Sequence, residues 1–266
     1  MRHNWLVLTL HVCASYASLY TSFIDFASSS FQALIQPDVS EDICESIAAG
    51  DIPGACALTC KIVDNPKYSA VLANIFHPLV LDEMMLAMDS SFCQRRSILA
   101  NTIAKLFTHT SLRANATKAL QKYLHSGRQN GVEELFCSIP SYIWAQVPAE
   151  QLQYVLMDVI LPSLKILDDC SFSYSRILAG HTGTILQSLS LSLKNIEMQK
   201  IAKLFHQRAK CNLYTRCLIY QMFVIYCPLT ADVFYEFARK TMRQDGFDAD
   251  TKISFLQLLR IVSTHS

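Results

Sequence analysis

From Asn195 to Ala209 polar residues recur at steps of three or four: Glu197, Lys200, Lys203, Gln207 and then Lys210. Ile201, Ala202, Leu204, Phe205 and Ala209 lie between them. That period predicts an α-helix with one wet and one dry face. Lys210-Cys211-Asn212 interrupts it, and Asn212 is a residue type whose side chain caps helix N-termini. The next stretch, Leu213 to Cys227, carries Arg216 as its only charge, and Leu218 to Cys227 is apolar except for Gln221. A helix apolar on every side has to be buried on every side, so helices outside this pair must cover it. Pro228 stops the pattern and Thr230 reopens it. An amphipathic outer helix, a tight turn and a buried inner helix predict a stacked-helix protein.

The rest of the chain repeats the theme. Trp5 to Ile24 reads as one long helical region, and Gln36-Pro37-Asp38 breaks it. Asp38 with Glu41 has capping-box spacing and opens a short helix that Gly50 ends. Pro53 suits the first turn of the next, Asp64-Asn65-Pro66 is a turn, and Pro78 marks a new start. Asp89-Ser90-Ser91 is read as the cap of a helix through His109, and Ser111 opens one to Leu124. A short helix stops before Pro140. Pro148 begins a strong one that Pro162 bends, and Asp168-Asp169 ends that block. Ser171 to Leu193 is helical in pattern with Gly180 and Gly183 weakening its middle, and further helices run from Thr230 to Arg243 and from Asp250 to Val262. No stretch alternates as a strand does.

The fold class is therefore all-α, with about a dozen helices stacked in antiparallel pairs. Composition agrees: 51% hydrophobic, 17% charged, and only 7 glycines and 8 prolines in 266 residues. β-folds and Rossmann-like folds consume more turn residues than that. The helix lengths and the alternation of outer-polar with inner-apolar segments resemble the HEAT/armadillo class of α-solenoids. A loose period near forty residues fits that resemblance, although no tetratricopeptide or ankyrin motif recurs. A compact, non-repeating helical domain has the same signature. We expect one helical domain over residues 1–266, either complete or a fragment or isoform of a longer array.

Charge changes the picture only locally. The net charge is +1, but no Lys or Arg falls between Arg2 and Lys61, whereas Lys194 to Arg243 is rich in them. Lys200, Lys203 and Lys210 are the candidate partner-binding basic face, suited to a helix or extended acidic segment of a protein; nucleic-acid phosphates are the weaker alternative. An ordinary solvated face reads the same way. Self-association through an exposed array end is a further option.

The ten cysteines show no C-x-x-C, and most sit among apolar residues as small hydrophobes, which suits a reducing, intracellular setting. The alternative is secretion. Met1 to Ala17 resembles a signal peptide, and Asn115-Ala116-Thr117 is a sequon. No stretch reads as a good membrane span.

The search for chemistry yields no metal-ligand spacing, cofactor loop or catalytic constellation. Gly180-His181-Thr182-Gly183 lacks the Walker lysine and is read instead as a helix-breaking turn. Asp82-Glu83, Glu133-Glu134 and Asp168-Asp169 are sequence neighbours that point to different helix faces. His77 and His206 read as packing or surface residues. We therefore expect a non-enzymatic interaction scaffold without cofactor or metal. A secreted, disulfide-bonded helical protein and an enzyme with a site assembled from distant residues are the alternatives.

Overall fold

The computed structural model describes residues 39–165, 172–244 and 246–265. Every regular element among them is helical. The signal-like amino terminus, the Asp38 cap and the Asp168-Asp169 break fall outside the described residues.

Residues 39–48 form α1. Gly50, at φ +75°, ends it. The Gly50 N–H bonds the Ile47 carbonyl at 3.0 Å and the Asp51 N–H reaches the Ser46 carbonyl at 2.9 Å, a Schellman closure that glycine enters without strain. Asp51 then caps α2 (Ile52–Val63), its Oδ1 accepting from the Gly54 N–H at 3.0 Å, with Pro53 in the first turn. A 3₁₀ turn at Pro66–Tyr68 and the short α3 (Leu72–Ile75) lead to α4 (Pro78–Ser90).

The expected serine cap belongs to the helix before it. Ser90 and Ser91 donate to the Ala87 carbonyl at 3.2 and 2.6 Å, closing α4. The next helix, α5 (Cys93–Thr108), starts after Phe92 without a side-chain cap. Hydroxyls aimed at a last-turn carbonyl are turned away from the N–H groups of the following helix. Next come α6 (Thr110–His125), α7 (Val132–Ser138) and a 3₁₀ segment, Ser141–Gln146, that buries Ile143 and Trp144.

Pro162 does disturb its helix. α8 (Ala149–Val155) passes through a π turn (Leu156–Ile160) into α9 (Leu161–Lys165), and the Leu161 N–H bonds the Leu156 carbonyl five residues back. A widened turn makes room for a ring that lacks an N–H and crowds the preceding turn.

The Gly180–Gly183 segment is not a turn. It lies in the middle of the unbroken α10 (Phe172–Ser192), and neither glycine has positive φ. Closeness explains Gly183: a Cβ there would stand 3.2 Å from Met222 Sδ and 3.4 Å from the Tyr226 ring. α11 (Asn195–Arg208) and α12 (Leu213–Tyr226) follow, the latter capped by Asn212, whose Oδ1 accepts from the Thr215 N–H at 2.9 Å. After a 3₁₀ turn at Pro228–Thr230 come α13 (Ala231–Thr241) and α14 (Ala249–His265), the last capped by Asp248 Oδ1 on the Thr251 N–H at 2.9 Å.

Packing follows two rows. In one, α2 meets α5, α5 meets α7, α7 meets α10, α10 meets α12 and α12 meets α14. In the other, α4 packs on α6, α6 on the π turn and α9, and later α11 on α13. Helix α12 thus lies between α10 and α14, and of its residues Ile225 alone is exposed. One apolar core runs from Ile43 to Val262. No described helix is long and apolar enough to cross a membrane.

Candidate functional site

The surface formed by α11, α12 and α13 carries the basic residues singled out above. Lys200 and Lys203 are exposed on α11, on the side opposite the buried Met198, Ile201, Ala202 and Phe205. Lys210 is exposed too, but it stands beyond the helix. Ala209 is extended at φ −65°, ψ 109°, so helical spacing no longer ties Lys210 to the other two. Leu204, assigned to the dry side by the pattern, is 39% exposed beside Lys203.

One turn on from Lys203, His206 borders a pocket of about 400 Å³ lined also by Arg216, Phe237, Lys240 and Gln244. Three helices build it. The Arg216 guanidinium lies over Phe237, with its carbon 4.5 Å from the ring centroid, and its Nε donates to the Tyr220 hydroxyl at 3.3 Å. Tyr220 is stacked on Phe234 with centroids 4.2 Å apart. The same oxygen lies 2.9 Å from His206 Nδ1, so hydroxyl and imidazole share a hydrogen bond whose direction follows the tautomer of the ring. Burial lowers the His206 pKa, and the charges of Arg216 and Lys240 lower it further. Burial pushes the Tyr220 hydroxyl up to about 12. The relay is therefore neutral at physiological pH, and the positive charge sits on Arg216 and Lys240.

The acids of this surface are already engaged or set apart. Glu197 Oε2 accepts from the Lys194 N–H at 2.9 Å, and Glu236 pairs with Arg239 at 3.0 Å. Asp232 is exposed in the first turn of α13, where the helix dipole favours it. Among the described residues, Lys200, Lys203, Lys210, Arg216 and Lys240 form no ion pair. The sequence marks Arg216 as the single charge of an apolar helix and Lys240 as one of the basic residues before Arg243, but only packing sets them beside the Lys200 and Lys203 helix.

A second histidine is wholly structural. His181, 1% exposed in α10, accepts from Trp144 Nε1 through Nδ1 at 2.8 Å, which fixes the proton on Nε2 to donate to the Phe136 carbonyl at 3.0 Å. That carbonyl has no helical partner because four residues on stands Pro140, which has no N–H. His77 is only half-buried, just before α4.

Cys56, Cys217 and Cys227 are buried among the packed helices, whereas Cys93 and Cys137 are exposed. Cys44, Cys56, Cys60, Cys93, Cys137, Cys217 and Cys227 are unbridged, and burial pushes the Cys217 thiol up to about 12, far from a thiolate. Asn115 of the sequon lies half-buried inside α6. Among the described residues no three His, Cys, Asp or Glu side chains gather as metal ligands. In comparisons with protein-family models, with curated proteins and with solved structures, nothing matches the chain.

Proposed function

We propose that this chain is a non-enzymatic interaction scaffold, an α-solenoid of HEAT/armadillo type whose α11–α13 surface holds an acidic, amphipathic segment of a protein partner. The two-row packing, in which helices of one row meet across the elements that lie between them in sequence, supports the architectural part. One observation carries the binding part: a set of exposed or half-buried cations without carboxylate partners lies among exposed apolar side chains. Leu204 is 39% and Tyr235 43% exposed on the same pair of helices. Lysine stems and apolar side chains together suit a helix with one acidic and one apolar face. Phosphate recognition along a single strand would want aromatic rings interleaved with the lysines of α11, and Phe205 is buried instead.

The test uses a fluorescein-labelled peptide of repeated Glu-Leu-Leu-Glu blocks, its Lys-for-Glu counterpart, and a duplex oligonucleotide. The acidic peptide binds and the basic one does not, and added salt weakens the complex. The triple reversal Lys200→Glu, Lys203→Glu, Lys210→Glu weakens binding about tenfold or more, because like charges then face each other. Its circular dichroism and melting stay unchanged, since all three side chains are exposed. Unchanged affinity in the folded triple variant, or preference for the oligonucleotide, refutes the proposal.

A further inference from the structure

Arg113 is a buried cation without a counter-ion among the described residues. It lies in the first turn of α6, is 5% exposed, and has no carboxylate within ion-pair distance among the described residues. Isolated buried charges are costly unless paired or well hydrogen-bonded. Part of the cost is met by the end of α5. Nε donates to the Phe107 carbonyl at 2.9 Å and Nη2 to the Thr108 carbonyl at 3.4 Å, at the negative pole of that helix. Nη2 also donates to Gln146 Oε1 at 3.1 Å. Three anchors from two elements fix the plane of the guanidinium. Nη1, with its two N–H groups, has no hydrogen-bond partner among the described residues, and it is not sealed in the interior. Burial alone lowers the pKa of this arginine, which still stays charged at any physiological pH.

The same residue lines a cavity of about 540 Å³ between α6, the turn that follows Gln146, and α8. That is the size range of small-ligand pockets. Lys118, one turn and a half along α6, lines it as a second cation, while Val147, Pro148 and Val155 give it an apolar wall. The acid in the lining, Glu150, is exposed and pairs with neither cation. The cavity therefore offers an anchored donor, an exposed second cation and an apolar side, and a net positive charge.

We propose that this cavity is a binding site for a carboxylate carried on an apolar body, with the carboxylate on Arg113 Nη1 and Lys118 and the body against Val147, Pro148 and Val155. The site is separate from the α11–α13 surface and stands whether or not that surface binds a peptide. A planar guanidinium held in place loses little freedom on accepting a carboxylate, so the interaction is preorganised. Two sources present this group: a free acid, or the carboxyl terminus of a peptide ending in an apolar residue.

The Nε–H of Arg113, held by the Phe107 carbonyl, reports on the site by nitrogen-15 NMR. The probes are 3-phenylpropionate, N-acetyl-Gly-Phe with a free carboxyl terminus, the amides of both, and inorganic phosphate. At least one acid shifts the Arg113 signal saturably, its amide binds at least tenfold more weakly, and phosphate, lacking the apolar body, binds more weakly too. Tighter binding of 3-phenylpropionate assigns a free acid, and tighter binding of the peptide acid assigns a chain terminus. Lys118→Gln, at an exposed position away from the α5 cap, weakens the better acid several-fold while the chain stays folded. Equal binding of acid and amide, stronger binding of phosphate, or no shift by either acid overturns the site.

Discussion

His181 links three segments through one imidazole. Its Nε2–H supplies the bond that Pro140 denies the Phe136 carbonyl, and its Nδ1 receives the buried Trp144 indole. The ring also meets Phe136 edge-on, with centroids 5.4 Å apart. Burial depresses its pKa below that of a free histidine. Above the unfolded value of about 6.5 both states are neutral and the full stability is present. As pH falls through that value the unfolded chain takes a proton that the folded chain refuses, so stability declines until the folded pKa is reached. The slope is at most about 1.4 kcal/mol per pH unit for one such group. His206, depressed in the same direction, adds to it. His181→Phe lowers stability near neutrality by about 1–3 kcal/mol, because it leaves a buried donor and a buried acceptor unpaired. It also flattens the acid decline. Urea midpoints at about pH 7.5 and about pH 5.5 check both parts; a variant with the wild-type pH slope would show that His181 is not the titrating group.

At the scale of the element, α10 and α12 set each other's composition. Gly183 is buried where α10 meets Met222 and Tyr226, whereas Gly180 is exposed and a methyl group in its place would meet nothing within 4 Å. The two glycines therefore respond differently. Gly180→Ala stabilises by about 0.5–1 kcal/mol, the ordinary gain of alanine over glycine in a helix. Gly183→Ala gains little, since Met222 has to shift by a few tenths of an ångström. Gly183→Leu costs about 1–3 kcal/mol or more through overpacking. Denaturant unfolding of the three variants measures the order; equal gains from both alanines would mean that the helices do not touch at Gly183. The glycine pattern also shows where sequence reading misleads. Two glycines three apart look like a break, and only the neighbouring helix shows that one of them marks a close approach.

For the whole molecule, each helix of the inner row depends on the next to cover it. α14 covers α12 with Phe255, Leu258 and Val262, each nearly or wholly buried, and the Ser254 carbonyl accepts from Gln221 Nε2 at 2.8 Å. Three such side chains contribute several kcal/mol, at about 1.5–3 kcal/mol each. Removing residues 246–266 exposes that face of α12 and leaves Gln221 unpaired. The shortened chain melts at a lower temperature and associates as its concentration rises, measured by sedimentation velocity. Melting and sedimentation equal to those of the intact chain would show that α12 does not need this cover.

The sequence by itself determined the helical class, most of the boundaries and the burial of α12. These follow from local chemistry: the 3.6-residue period, the Asn212 cap, the Gly50 closure, and prolines at helix starts. It also placed Lys200 and Lys203 on a wet face, because neighbours on one helix are related by its geometry. The tertiary structure decided the rest. Lys210 left the face when the chain turned extended at Ala209. Arg216, Lys240 and His206 converged from three helices, and Arg113 met the end of α5 and Gln146 across a gap in sequence. Such meetings depend on how helices pack side by side, and no spacing along the chain encodes a contact between residues that only packing brings together.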